Sequence, residues 1–296
     1  MFIFVLMDMD KIKTIDIRNY RESGGGATGS SYFSISDDSV MLKVFNPEYP
    51  KEMIIREIDL ARKVFEIGVP SPAPGELVMA GERMGISFRR IVGKRSYSRI
   101  FADEPERIEE FAREFARYTL KLHSIECPPG LFPDVKDEYL HLLELDKFLN
   151  SSEKQVIYDF IRGADDGNNA LHGDLQFGNA ISTIPFGAPL DTPHEVFFID
   201  LGNFCQGNPL FDLGMLLNIC LYSQEEFLFE AFHIHRPEAI RVWEAFIDEY
   251  FGGTMTPAQA EDLLRPYQAT KMLLVEHLTG YLRPGCERNL RESFGL

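Results

Sequence analysis

The sequence predicts an α+β protein of two lobes, a small β-rich lobe over residues 1–91 and a larger helical lobe over 92–296. Three observations predict this. Short apolar runs broken by Gly, Pro and Asp fill the first ninety residues. Apolar positions spaced by three and four fill most of the rest. Two segments with an Asp beside a turn-forming Gly, Leu171–Asn179 and Phe198–Gly202, interrupt the helical part as strand–loop units.

The elements follow in order. Met1–Met7 is apolar but lacks a basic leader and soon meets Asp8 and Asp10, so it reads as a strand or a disordered start. It is far shorter than the roughly 20 apolar residues that span a bilayer. Tyr20–Tyr32 carries a triple glycine, Gly24, Gly25 and Gly26. Strands are expected at Tyr32–Ile35 and Val40–Phe45, joined by a turn at Ser36–Ser39. Pro50 and Lys51 open a helix with Ile54, Ile58, Ala61 and Val64 on one face, and Gly68 and Pro70 end it. Glu76–Ala80 and Met84–Ile91 read as two further strands.

A long helix is then expected over Glu104–His123, with shorter ones over Asp137–Leu149 and Ser152–Arg162. Helices resume at Leu210–Tyr222, Pro237–Phe251 and Pro257–Leu278, with Pro266 expected to start or kink an element.

Composition narrows the function. A formal charge of −16 argues against a nucleic-acid partner, which needs clustered Lys and Arg. It is compatible with a cationic substrate and with simple solubility. Cys127, Cys205, Cys220 and Cys286 form no CxxC pair, which disfavours a zinc site or a disulfide framework and fits free thiols in a cytoplasm. No membrane association is expected.

The chemistry lies in the two Asp segments. Asp174 is followed five positions later by Asn179, and Asp200 comes later beside Gly202. Phosphoryl transfer needs a carboxylate to orient the attacking hydroxyl, and an Asn and an Asp to hold Mg²⁺ over the phosphates, in this order along protein kinases. Asp174 is thus the candidate catalytic base, and Asn179 and Asp200 the candidate metal ligands. Upstream, Gly24, Gly25 and Gly26 let backbone N–H groups approach phosphate oxygens. Lys43, set among apolar residues in the following strand, is a candidate grip on the phosphates. Glu57 is its expected carboxylate partner and Glu52 the competitor. His172 reads as shaping the loop. Asp212, opening an apolar helix, reads as structural: a cap, or a brace under the catalytic loop.

Taken together, His172-Gly173-Asp174, Asn179, Ile199–Gly202, Gly207–Asp212, the Arg56-Glu57 to Pro72 stretch and Leu122–Ile125 resemble the aminoglycoside phosphotransferase and choline/ethanolamine kinase group. The resemblance runs from about Tyr20 to Leu216. It implies a protein-kinase-like two-lobe fold, ATP or GTP with Mg²⁺ as cofactors, Asp174 as base, Asn179 and Asp200 on the metal, and Lys43–Glu57 as the nucleotide-anchoring pair. Two departures remove no ligand: Leu175–Gly178 replaces a frequent His-Pro pair, and the metal segment reads Asp-Leu-Gly.

The resulting expectation is a small-molecule kinase acting on a hydroxyl. The alternative is a nucleotide-binding pseudoenzyme or regulatory module, whose mark would be a missing Lys, Asp or Asn, and none is missing. A protein kinase is disfavoured, because Asp200 to Asp212 leaves no room for a long activation segment. For the acceptor, Glu225, Glu226, Glu230 and Asp248 with Phe227, Phe229 and Trp243 would suit an amine-bearing compound. Their plainer reading, a solvated helix face over core aromatics, is favoured. Aminoglycoside, choline-like, sugar and amino-alcohol acceptors fit the motifs equally.

Overall fold

The computed structural model describes residues 12–25, 28–279 and 284–296. The N-terminal stretch read as a strand or disordered start, and Gly26, lie outside the described residues. Two compact units divide between Val92 and Gly93.

The first unit is built on one six-stranded sheet, formed by β1 (Lys13–Ile15), β2 (Tyr20–Gly25), β3 (Gly29–Ser34), β4 (Val40–Phe45), β5 (Pro74–Ala80) and β6 (Arg83–Arg89). The strand order is β1-β5-β6-β4-β3-β2, antiparallel except for the β1–β5 pair. Between β4 and β5 runs helix α1 (Lys51–Glu66), which Gly68 ends in the left-handed region at φ 84°. Alternation along β4 sends Phe45 to one face and Leu42 and Val44 to the other. Phe45 packs with Ile54 and Ile58 of α1 and with Leu77, Met84 and Ile86. Leu42 and Val44 form a second cluster with Tyr32, Val78 and Ala80. Lys43 therefore shares the helix-facing side with Phe45.

The second unit is mostly helical. A short strand β7 (Arg95–Ser96) leads into α2 (Tyr97–Asp103) and α3 (Ile108–His123). The single helix expected over Glu104–His123 begins later: Pro105 opens a 3₁₀ turn, Pro105–Arg107, that separates α2 from α3. Next come α4 (Val135–Leu145), α5 (Ser151–Gly163), β8 (Asn169–Leu171), β9 (Ala180–Ser182), β10 (Val196–Phe198) and β11 (Cys205–Gly207). Helices α6 (Leu210–Leu217), α7 (Glu225–Phe232), α8 (Arg236–Tyr250), α9 (Pro257–Thr279) and α10 (Pro284–Ser293) complete it.

Three differences from expectation stand out. The expected Leu210–Tyr222 helix ends as a π turn over Asn218–Tyr222, α7 is a separate helix, and α9 continues through Pro266 as one element. Gly214 explains the close approach of α6 to α9, since a Cβ there would lie 2.8 Å from the Tyr267 backbone.

The four short strands assemble the site. β8 pairs with β11, and β9 pairs with β10, both antiparallel. The Asp174 loop connects β8 to β9, and the Asp200 loop connects β10 to β11. These two pairings bring the loops together, although they lie more than twenty residues apart in sequence.

Candidate active site

In the first unit, Lys43 lies in register with Ser31 of β3 and Ile86 of β6, and Ser31 in turn pairs with Gly24 of β2. Directly opposed residues share a face, so the glycine strand, Ser31 and Lys43 form one row. A Cβ on Gly24 would meet nothing within 4 Å, so the row is open beside the glycine. The Lys43 ammonium lies 2.7 Å from Glu57 Oε1, and both side chains are largely buried. Glu52 is exposed in the first turn of α1. A buried ammonium and carboxylate in contact offset much of each other's desolvation.

In the second unit, Asp174 is partly buried. Asn179 Nδ2 donates to its carboxylate Oδ2 at 3.0 Å and to its backbone carbonyl at 3.0 Å. Burial pushes the Asp174 carboxyl above the usual carboxylate range, and the Asp200 charge adds to this. A raised carboxyl is the better proton acceptor near neutrality. The Asp200 segment is joined to it through main chain: Ile199 N–H donates to the Asn179 carbonyl at 2.9 Å. His172 Nε2–H donates to the Ile199 carbonyl at 3.0 Å, while its Nδ1 accepts from the Asp174 N–H at 3.3 Å. His172 thus ties one loop to the other. Asp200 itself is exposed and sits in the left-handed region at φ 60°, uncommon for a residue with a Cβ.

Asp212 is buried beneath the loop. Its carboxylate accepts from the His172 N–H at 2.6 Å and the Gly173 N–H at 2.9 Å, and lies 3.2 Å from His123 Nε2. Tyr250 Oη stands 2.7 Å from the other nitrogen of His123. Burial pushes this carboxyl up, but the His123 hydrogen bond and the surrounding positive charge outweigh it, and the net direction is down. Gly173 is held at φ 77°, where a Cβ would fall 1.8 Å from the Asn203 carbonyl. Only glycine fits there.

A cavity of about 430 Å³ adjoins these residues within the second unit. Gly178, beside Asn179, and Ile199, beside Asp200, line it together with Ile181, Lys94, Arg95 and Arg99. Arg95 pairs with Glu104 at 2.7 Å and Arg99 with Asp103 at 3.1 Å. Lys94 has no ion pair or hydrogen bond among the described residues, and burial alone pushes its ammonium down.

The donor set suits a hard cation. Asn179 directs both Nδ2 hydrogens to Asp174, and its Oδ1 takes no hydrogen bond among the described residues. With the exposed Asp200 carboxylate it offers two oxygen donors, the kind and number Mg²⁺ takes while keeping waters. No cluster of three or more His, Cys, Asp or Glu able to hold a metal occurs among the described residues. Of the side chains considered for an acceptor, Trp243 is core. Glu225 binds His235 and the Arg236 N–H, Asp248 pairs with Arg113, and Phe227, Phe229, Glu226 and Glu230 are exposed on α7. Sequence reasoning missed Lys94, Tyr250 and Lys271. A lone lysine before the apolar run Met272–Val275 was the available signal for the last.

Residues 19–246 match the phosphotransferase enzyme family. No curated protein matches the chain by sequence. Among solved structures, the chain is similar to ADP-bound aminoglycoside phosphotransferase APH(2'')-Ib, at 17% identity and TM-score 0.54 over 93% of this chain and 91% of that one. It is also similar to an aminoglycoside-3'-phosphotransferase of type VIII, at 18% identity and TM-score 0.58 over 86% and 94%. A fructosamine-3-kinase assignment from Haemophilus somnus matches at 12% identity and TM-score 0.57 over 93% and 90%. The shared feature is the fold, a β-sheet unit followed by a helical one. The chain belongs to the phosphotransferase enzyme family, whose model matches residues 19–246.

Proposed function

We propose that the protein moves the γ-phosphoryl group of ATP, or GTP, to a hydroxyl of a small molecule, with Mg²⁺ required. The hydroxyl oxygen forms the new bond to phosphorus, the bond to the nucleoside diphosphate breaks, and the hydroxyl proton passes to the Asp174 carboxylate. One observation carries this reading: Asn179 donates to Asp174 at 3.0 Å while its carbonyl accepts from Ile199, next to Asp200. Base and metal-ligand candidates are thereby tied to one another by hydrogen bonds of ordinary length. Asn179 Oδ1 and the Asp200 carboxylate would hold the Mg²⁺, which when bound neutralises phosphate charge. Lys43, steadied by Glu57, would grip the phosphates beneath the Gly24–Gly25 strand, making residues 1–91 the nucleotide-binding lobe and 92–296 the catalytic and acceptor-binding lobe.

The ADP-bound neighbour supports the donor. The neighbours named for aminoglycosides and fructosamine support a polyhydroxylated acceptor, and the charge of −16 is compatible with a cationic one. The cavity beside the loop has no carboxylate lining it. A cationic acceptor would therefore be met by the exposed Glu226 and Glu230 of α7. No helix among the described residues is long and apolar enough to cross a membrane.

Two measurements test the reading. ADP release over a panel of hydroxyl compounds should fall roughly 10²–10⁴-fold in Asp174→Asn, and equal turnover would exclude Asp174 as the base. Mg²⁺-ATP should raise Tm, and an undiminished rise in Asp200→Ala would exclude Asp200 from the metal.

A further inference from the structure

Lys271 lies on α9, beyond the family-matched residues 19–246, and has no part in the reaction as derived above. It is only 1% exposed. Its ammonium donates to the Gly173 carbonyl at 3.2 Å and sits 5.0 Å from the centre of the Tyr139 ring. Burying an ammonium this completely is costly unless its surroundings compensate the charge. The Gly173 carbonyl, the Tyr139 hydroxyl and ring, and the neighbouring Asp212 carboxylate supply that compensation.

The contact falls on one particular peptide. The Gly173 carbonyl and the Asp174 N–H belong to the same planar unit. Its N–H end is held by His172 Nδ1 and its C=O end by Lys271. The preceding two N–H groups are held by Asp212. Glycine is needed at 173 because the chain passes so close to Asn203, yet glycine by itself leaves that peptide free to rotate. The permissive residue therefore stands directly before the proposed base. His172 holds the N–H end of that peptide, and Lys271 is placed to hold the C=O end and so complete its orientation.

We propose that Lys271 is a positioning residue for phosphoryl transfer: its ammonium fixes the Gly173–Asp174 peptide so that the Asp174 carboxylate stays aligned with Asn179. This rests on the reading of Asp174 as the base. It makes α9 part of the machinery that orients the catalytic loop.

The test uses the full chain with Lys271→Met, which keeps the volume but removes the donor, and Lys271→Arg, which keeps charge and donors. Steady-state ADP release is measured with Mg²⁺-ATP and the best acceptor of the hydroxyl panel, alongside amide hydrogen exchange over residues 171–179. In Lys271→Met, kcat should fall about tenfold or more, while KM for ATP stays within about twofold. Exchange over 171–179 should quicken by about tenfold with α3 and β4 unchanged. Lys271→Arg should recover most of kcat. The proposal is overturned if Lys271→Met retains wild-type kcat, if loop exchange is unchanged, or if Lys271→Arg is as impaired as Lys271→Met. It is also overturned if the fall in apparent kcat is fully accounted for by the fraction of folded protein lost, measured on the same sample. A wild type that consumes no ATP with any acceptor overturns the functional reading itself. That outcome differs from turnover that is equal in wild type and Lys271→Met.

Discussion

The two units bury charge in different ways. In the first, Lys43 and Glu57 meet directly at 2.7 Å, a strand side chain against a helix side chain. In the second, the Asp212 carboxylate is satisfied chiefly by main-chain N–H groups, with His123 beside it. A side-chain pair sets one distance and lets both partners move together. A carboxylate that gathers consecutive N–H groups sets the shape of a loop. The first arrangement suits the proposed grip on the nucleotide, and the second suits the proposed aiming of Asp174.

The sharpest way to break this comparison is Asp212→Asn. The carboxamide turns an N–H₂ toward donors that need an acceptor, leaving at least one buried N–H unpaired. Breaking a buried charged network in this way should cost about 3–5 kcal/mol in urea unfolding. If loop shape is what Asp212 provides, exchange over 171–174 should rise before the rest of the unit opens. Loss of stability below about 1 kcal/mol would show that the network is not a brace.

A smaller effect is expected across the direct pair. A double-mutant cycle of Lys43→Met and Glu57→Gln, followed by urea unfolding, should give a coupling of roughly 1–2 kcal/mol. The pair is less buried than Asp212, and each partner can relax toward water. The larger consequence should be on KM for ATP. A coupling as large as the Asp212 effect would erase the distinction between the two units.

How much of this was legible depends on how local the signal is. Lys43 with Glu57, and Asp174 with Asn179, lie within fourteen residues of each other, so spacing and element type could pair them. Asp212 was ambiguous because the third residue of a helix suits a cap as well as a brace. The structure resolves it: α6 has no side-chain cap, and the carboxylate turns instead to His172 and Gly173. His123, Tyr250 and Lys271 reach their partners across 89 to 127 residues, and no local periodicity encodes such contacts. Pro105 and Pro266 show the same limit at fold level. Both invite a break, but only Pro105 makes one, because tertiary packing decides whether a helix tolerates the lost hydrogen bond.

The smallest effect, and the finest probe of the loop, is the pH dependence of stability. Asp212 and Asp174 are shifted in opposite directions. A depressed folded carboxyl adds stability above its unfolded value, near 3.9, that is lost as pH falls through the folded value. Asp212 should therefore contribute to acid unfolding. For Asp174 the sign reverses. Its folded carboxyl keeps a proton that the unfolded chain has already released, so its contribution declines as pH rises from about 4 through the raised folded value. Urea unfolding from pH 3 to 7 should show Asp174→Asn removing a shallow loss of stability in the upper part of that range, and Asp212→Asn removing part of the acid limb. Parallel curves for the two variants would mean that Asp212 and Asp174 share one environment, and that the loop does not separate their charges.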